Sequence, residues 1–118
     1  MIQAQAIRLA HTLKTVTGSL TADTDVIAAI TGKRICVIAY SLITAGTAAD
    51  VIIFKSNGTS GTALWQVILQ AASGTIAGAN LSIPAPSYLF ATVAGEKLTI
   101  DVNQTSTVYY GIAYFEDD

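Results

Sequence analysis

Charged side chains are scarce in this sequence. Asp, Glu, Lys and Arg together make up 12% of its 118 residues, against a share of about 25% that is usual for soluble domains. Hydrophobic residues make up 52%, so the charges are too few to cover the surface of a small free-standing domain. We therefore expect part of the surface to form a subunit interface.

The sequence also lacks the features that nucleic-acid-binding and membrane proteins need. Its six Lys and Arg residues are scattered and the net charge is −2, so no basic patch for phosphate backbones is expected. No apolar run reaches the roughly 18 residues that span a bilayer. The first six residues lack the charged start and apolar centre of a secretory signal. We expect no nucleic acid and no membrane as partners, and synthesis in a cytoplasm.

Only one cysteine and one histidine are present, which leaves few candidates for nucleophilic catalysis. Cys36 lies within a β-branched run, where we expect a buried apolar thiol and not a nucleophile. Any Ser-His-Asp or Cys-His arrangement would need His11, which we interpret as a structural histidine.

Two carboxylate pairs are candidate sites. Asp23 and Asp25 form an Asp-x-Asp turn that could offer oxygens to calcium, but no EF-hand pattern follows, so we expect turn capping. Glu96 with Asp101 could suggest a glycosidase pair, but both fall on polar positions where solvated charges are usual. Phosphate loops and nucleophile elbows are also absent from the sequence. We expect no catalytic activity, no metal and no cofactor.

The segment 33–44 is rich in β-branched and aromatic residues and free of Gly and Pro, which predicts one long strand. Both of its faces are apolar, so each needs a cover, from either a second layer of the chain or a neighbouring subunit. The segment 108–115 has the same character, and we expect the two to lie near each other in one sheet. Strict alternation would give two sets of side chains, Ile35, Val37, Ala39 and Ile43 on one face and Cys36, Ile38, Tyr40 and Leu42 on the other.

Turn signals divide the rest of the chain into short strands. Asn57-Gly58 is the strongest hairpin signal, because both residue types tolerate positive φ. Further strands are expected at 50–55, 62–71, 88–93 and 98–103, while 74–86 is interpreted as a short segment around Ile76 followed by a proline loop. About eight strands with no substantial helix predict an all-β, antiparallel sandwich of jelly-roll type. We assign residues 1–25 to an N-terminal arm or leading strand and 26–118 to the sandwich domain.

Large apolar residues are the expected anchors of the core or of an oligomer interface. Aromatic rings with polar edges also suit sugar rings, so part of the aromatic set could instead form a sugar-stacking platform. The residues of that platform would be Trp65, Tyr88, Phe90, Tyr109, Tyr110 and Tyr114. The anchors are Ile38, Tyr40, Leu42, Trp65, Tyr109, Tyr110 and Tyr114.

Three motifs resemble a group of small virion proteins of tailed bacteriophages. They are a Gly-Lys-x-Ile-x-Val strand at 32–37, Phe-Lys-Ser at 54–56 and Ala-Gly-Glu-x-Leu at 94–98, followed by a Tyr-rich closing strand. The resemblance extends over residues 26–116. It implies a jelly-roll capsid decoration (cement) protein, or the knob of a short virion fibre, commonly assembled as a trimer.

Composition and resemblance lead to one leading expectation. The chain is expected to form a homotrimer that binds the major capsid protein or another virion protein, at the capsid surface, and stabilises the shell. It would be made in the cytoplasm of the host bacterium. The alternatives are a receptor- or glycan-binding knob of a head or tail fibre and, with almost no support, an enzyme. The residues that attach to the capsid are not identified by the sequence.

Overall fold

The computed structural model describes residues 12–46, 48–71, 76–103 and 107–117. Within these ranges it contains nine strands and no helix. The strands are β1 (Lys14–Leu20), β2 (Thr24–Ile27), β3 (Arg34–Thr44), β4 (Asp50–Ser56), β5 (Thr62–Leu69), β6 (Ala77–Ser82), β7 (Phe90–Ala91), β8 (Leu98–Val102) and β9 (Val108–Asp117).

The strands form two antiparallel sheets with the order of a jelly roll. Strands from the two halves of the chain pair as β1 with β9, β2 with β8, β3 with β6 and β4 with β5. These pairs nest like one long hairpin folded over on itself. The first sheet has the order β1-β9-β3-β6, with β7 also paired to β3, and the second has the order β2-β8-β4-β5. The predicted jelly-roll sandwich is therefore confirmed.

The two ribbons that are apolar on both faces are neighbours, as predicted. β3 and β9 pair along nearly their whole length at the centre of the first sheet. A β-bulge between Val37 and Ala39 shifts the register, so strict alternation along β3 was the wrong assumption. Before the bulge Ile35 and Val37 face the second sheet, whereas after it Tyr40 and Leu42 do so.

The main core lies between the two sheets. Its side chains come from alternate positions of β4, β8 and β9, as the period of two along a strand requires, and from β3 on either side of its bulge. Each fully buried aliphatic or aromatic side chain contributes roughly 1.5–3 kcal/mol relative to an exposed one. The fully buried apolar residues of this core include Ile35, Val37, Leu42, Ile52, Phe54, Leu98, Ile100 and Val108.

The turn between β4 and β5 has the backbone that its sequence predicts. Asn57 and Gly58 both have positive φ, 73° and 91°. Gly61 closes this turn, and a Cβ atom there would lie 1.8 Å from the carbonyl oxygen of Ser56. Only glycine therefore fits at position 61.

Two sequence predictions about the second half of the chain were wrong. The region around Ile76 leads into a true strand, β6, which forms one edge of the first sheet. The expected strand at 88–93 is shorter, because only the two residues of β7 pair regularly with β3. Single backbone hydrogen bonds from the Leu89 amide to Val37 and from the Thr92 amide to Ile35 flank this short pairing. The proline loop is present, between β6 and β7.

The segment assigned to an arm or leading strand includes both β1, paired to β9, and the start of β2, paired to β8. Residues 1–11, including His11, lie outside the described residues.

Candidate assembly surface

Three of the predicted anchors are Tyr40, Trp65 and Leu42. Tyr40 and Trp65 belong to an aromatic cluster between the two sheets, and Leu42 lies in the same core. The Tyr40 and Phe54 ring centroids are 5.6 Å apart, those of Phe54 and Phe90 are 5.0 Å apart, and those of Trp65 and Phe90 are 5.6 Å apart. The indole N–H of Trp65 donates to the Tyr40 hydroxyl at 3.1 Å. Leu42 is fully buried in the same core. The Tyr40 hydroxyl satisfies the indole N–H inside the sandwich, so Tyr40 and Trp65 act as internal anchors.

The other anchors lie in three different environments. Tyr110 and Tyr114 are half-buried and pack on the main core from the inner face of β9. Ile38 belongs to a second, smaller cluster on the outer face of the first sheet. Tyr109 is 57% exposed on that outer face.

The aromatic residues do not form one sugar-stacking platform. Phe90 and Trp65 are occupied inside the sandwich. Tyr88 lies edge-on to Phe115, with the Arg34 guanidinium 5.6 Å from its ring centroid. Tyr109 is on a different part of the surface, so only separate tyrosines face solvent.

The outer face of the first sheet has two halves. In the covered half, Cys36, Ile38 and Phe115 form the second cluster beneath residues of the 83–91 segment, including Ile83 and Ala91. The chain thus supplies its own second layer here, which was one of the two covers that the sequence left open.

The open half of this face is a shallow depression of about 280 Å³. Its floor is formed by short side chains of the two central strands, Ala39 and Ser41 on β3 and Gly111 and Ala113 on β9. Hydroxyl and amide side chains flank the floor, and Ile43, 42% exposed, lies with Tyr109 beyond one end. The flanking residues are Thr15 and Thr17 on β1 and Asn80 and Ser82 on β6. Within the described strands, none of these outer-face residues is charged.

The outer face of the second sheet carries a network of ion pairs. Lys55 Nζ lies 2.7 Å from Asp101 Oδ2, and Lys97 Nζ lies 2.7 Å from Asp25 Oδ2. Thr99 donates its hydroxyl hydrogen to Asp25 at 2.8 Å. Hydrogen bonds from Lys97 and then Thr99 lower the pKa of Asp25, and the hydrogen bond from Lys55 lowers the pKa of Asp101. These contacts tie β2, β8 and β4 together.

The candidate catalytic and metal-binding residues have structural partners. Cys36 is fully buried, and this burial raises the pKa of its thiol, which opposes nucleophilic reactivity. Asp23 accepts a hydrogen bond from the Val102 backbone amide at 2.9 Å. Glu96 accepts one from the Ser56 hydroxyl at 2.6 Å, while Asp101 is paired with Lys55. Among the described residues, no group of three or more metal-ligating side chains is present.

The sequence did not indicate Asp50 as a special residue, because a polar residue is ordinary at the start of a strand. It is fully buried on the inner face of β4, in cross-strand register with Leu69. Neither carboxylate oxygen has a hydrogen-bond partner in the described part of the chain. A buried carboxyl group without donors is costly to the fold.

The fold and surface together define a small jelly-roll sandwich with one uncharged outer half-face. Within the described ranges the structure contains no helix with the length and apolar character that a membrane crossing requires.

Comparison with known structures finds several distant likenesses. A structure of Bacillus endospore appendages, which form a family of disulfide-linked pili, is 18% identical with a TM-score of 0.43, covering 89% of this chain and 88% of that one. A virus-like particle of extra small virus of the prawn Macrobrachium rosenbergii is 13% identical with a TM-score of 0.39, covering 92% and 80%. A family 6 carbohydrate-binding module is 15% identical with a TM-score of 0.43, covering 86% and 65%. No protein-family model matches the sequence, and no curated protein matches it.

Proposed function

We propose that this chain is a structural virion protein of a tailed phage, made in the host bacterial cytoplasm. In this proposal it binds the capsid surface as a homotrimer, acts as a decoration (cement) protein and has no catalytic role. The observation that carries the proposal is the open half of the first sheet's outer face. The phage assignment itself comes from the motifs at 32–37, 54–56 and 94–98.

The open half is suited to contact with another protein. Burying an unpaired charge is costly, and the described residues of the open half carry no charge to bury. Its floor residues Ala39, Ser41, Gly111 and Ala113 have short side chains that lose little rotamer entropy on binding. The exposed Ile43 and Tyr109 supply larger apolar surface at one end.

The size of the open half favours attachment through several copies at once. Four strands about 4.8 Å apart, each contributing about five residues of 3.3 Å, give a face of roughly 300 Å². A specific interface buries roughly 800 Å² on each partner, so one face is too small. Three faces on one trimer reach roughly the required area, and binding to the assembled shell then adds to its stability.

The test compares one substitution on each outer face. Ser41 and Gln66 are both exposed and uncharged, and they lie on β3 and β5. We expect Ser41→Lys to weaken co-sedimentation with capsids built from the same phage's major capsid protein by at least about tenfold, because a lysine on the contact face must be desolvated. Gln66→Lys adds the same charge to the other sheet and should leave binding unchanged. Equal binding by wild type and Ser41→Lys would refute the attachment surface.

A second candidate function is a glycan-binding knob. The exposed Tyr109 beside a depression lined by hydroxyl and amide groups favours it. A glycan array with wild type and Tyr109→Ala separates the two functions. A signal that is lost in Tyr109→Ala would support the knob, and an empty array with retained capsid binding would support the decoration protein.

A further inference from the structure

Both edges of the first sheet are exposed and nearly uncharged. β6 forms one edge and contains neither a charge nor a proline, and β1 forms the other, with its single charge, Lys14, at the first position. Natural edge strands usually carry lysines, prolines or bulges that prevent pairing with another chain. On the outer face, the exposed edge residues are short and uncharged: Gly78, Asn80 and Ser82 on β6, and Thr15, Thr17 and Ser19 on β1.

One hydrogen bond shows which residues of β6 point their backbone N–H and C=O groups away from the sheet. The Ile83 amide donates to the Ile38 carbonyl oxygen at 2.8 Å. Since antiparallel residues alternate between pointing toward the partner strand and away from it, Ser82, Asn80 and Gly78 direct their N–H and C=O groups away from β3. The same alternation continues across β3 and β9. On β1, therefore, Thr15, Thr17 and Ser19 point their backbone N–H and C=O groups away from β9.

Strand direction makes these two edges compatible with each other. Each neighbouring pair in the order β1-β9-β3-β6 is antiparallel. A second copy in the same orientation therefore presents its β1 antiparallel to β6 of the first. If Asn80 is aligned with Thr17 of the second copy, the backbone N–H and C=O groups of the two residues form hydrogen bonds with each other. Both side chains then stay on the outer face.

The same alignment also covers an exposed leucine. Leu81 faces inward at the edge of β6 but is 43% exposed, because no described strand follows β6 in this sheet. In this register it lies opposite the half-buried Val16 of the second copy. Cross-strand apolar pairs of this kind add to the stability of a sheet.

We propose that β6 of one copy pairs with β1 of a second copy in the same orientation, so that the first sheet continues across the contact. Such a head-to-tail contact closes into a ring, such as a trimer, when its rotation allows. The inference rests on the self-association within the proposed function and is independent of capsid attachment.

Cysteine cross-linking tests the contact. Opposed residues of a hydrogen-bonded antiparallel pair have Cα atoms about 5.5 Å apart, within the range of a disulfide. Asn80→Cys and Thr17→Cys are made as separate proteins that retain the buried Cys36. We expect a mixture of the two to give about tenfold more disulfide dimer than either alone, since only the mixture opposes the two thiols. A mixture of Asn80→Cys with Gln66→Cys is the control and should not cross-link.

Each other outcome identifies what is wrong. A dimer from Asn80→Cys alone would mean pairing of two β6 strands by a two-fold axis and would overturn the inference. An oligomer in light scattering without the mixed cross-link would overturn the edge contact and leave the capsid function standing. A monomer at every concentration, with no cross-link, would overturn the edge contact together with the proposed trimer.

A proline at the edge supplies a second measurement. Asn80→Pro removes one outward N–H, and prolines are tolerated on edge strands where the amide faces solvent. We expect the dissociation constant for self-association to rise at least about tenfold, because a ladder hydrogen bond is lost and the ring blocks close approach. Asn80→Ala keeps the amide and should leave it unchanged. Undiminished assembly of a folded Asn80→Pro would overturn the inference, and if this variant does not fold the cross-link alone decides.

Discussion

The outer faces of the two sheets differ in how they use charge. On the second sheet, Lys55 with Asp101 and Lys97 with Asp25 form ion pairs that tie neighbouring strands together. On the open half of the first sheet, the described residues are short or uncharged. The low charge content of the chain is therefore not spread evenly. It leaves one half-face that can be desolvated without burying a charge.

A second difference separates the two halves of the first sheet's outer face. The half around Phe115 is covered by the chain's own 83–91 segment, whereas the half around Gly111 is open. The covered half shows how an apolar outer face is stabilised within this molecule. The open half is the part that a partner could cover.

The largest predicted effect compares these two halves. Phe115 is buried in the covered half and Tyr109 is exposed beyond the end of the open half. We expect Phe115→Ala to lower the free energy of unfolding by about 3–5 kcal/mol, because it leaves a cavity. Tyr109→Ala should change it by less than about 0.5 kcal/mol. Urea denaturation of the two variants and of wild type measures both changes in the free energy of unfolding. Similar decreases in the two variants would mean that the two halves are equally covered by the chain.

A predicted effect of intermediate size concerns Asp50, whose carboxyl group is unpaired among the described residues, unlike the paired carboxyl groups of the same sheet. Asp101 faces outward with Lys55, but Asp50 faces inward with no hydrogen-bond partner in the described residues. We expect Asp50→Val to raise the free energy of unfolding by about 1–3 kcal/mol, the cost of a buried unsatisfied polar group. Valine also favours strands.

Asp50→Asn is the matched control for this prediction. It keeps the shape of the side chain and places a polar amide where the carboxylate oxygens have no hydrogen-bond partner among the described residues, so it should stabilise less than Asp50→Val. Thermal denaturation with both variants measures the order. A loss of stability in Asp50→Val would show that the carboxyl group is needed where it lies.

Local signals were sufficient to predict the fold class. Asn57-Gly58 marks its turn by backbone preference alone, and the segment 98–103 shows the period of two. The pairing of β3 with β9 followed from their shared need for cover on both faces. Such features depend on a few adjacent residues or on composition, so the sequence alone carries them.

The remaining features depend on contacts distant in sequence. The bulge at Val37–Ala39 reverses which residues face inward, and no residue type marks it. The first four residues of β6 are Ala, Gly, Ala and Asn, which have low strand propensity, and the strand forms because it pairs with β3. Ser41 and Gly111 line the open half without any chemical signature. A period-two row of small residues, such as Thr15 and Thr17, is the one signal that could have indicated this face.

The smallest predicted effect concerns the ion pairs of the second sheet. Lys55 and Asp101 lie on the outer face of the second sheet and are partly exposed, with side-chain exposures of 17% and 25%. We expect Asp101→Asn to lower the free energy of unfolding at pH 7 by up to about 1 kcal/mol, since a pair near the surface gains little over hydration. A double-mutant cycle with Lys55→Met isolates the interaction of the two side chains.

The pH dependence identifies charge as the cause. Because Lys55 lowers the pKa of Asp101 in the folded state, the unfolded chain takes up a proton first as the pH falls. The stabilisation is therefore complete above the ordinary carboxyl pKa, declines below it, and is lost once the pH is below the folded-state value. The difference between wild type and Asp101→Asn should shrink over this acidic range in urea titrations. A difference that is the same at pH 7 and at the acidic end would mean that packing, and not the ion pair, explains the effect of Asp101, and the contrast in charge between the two faces would then have no energetic counterpart at this position.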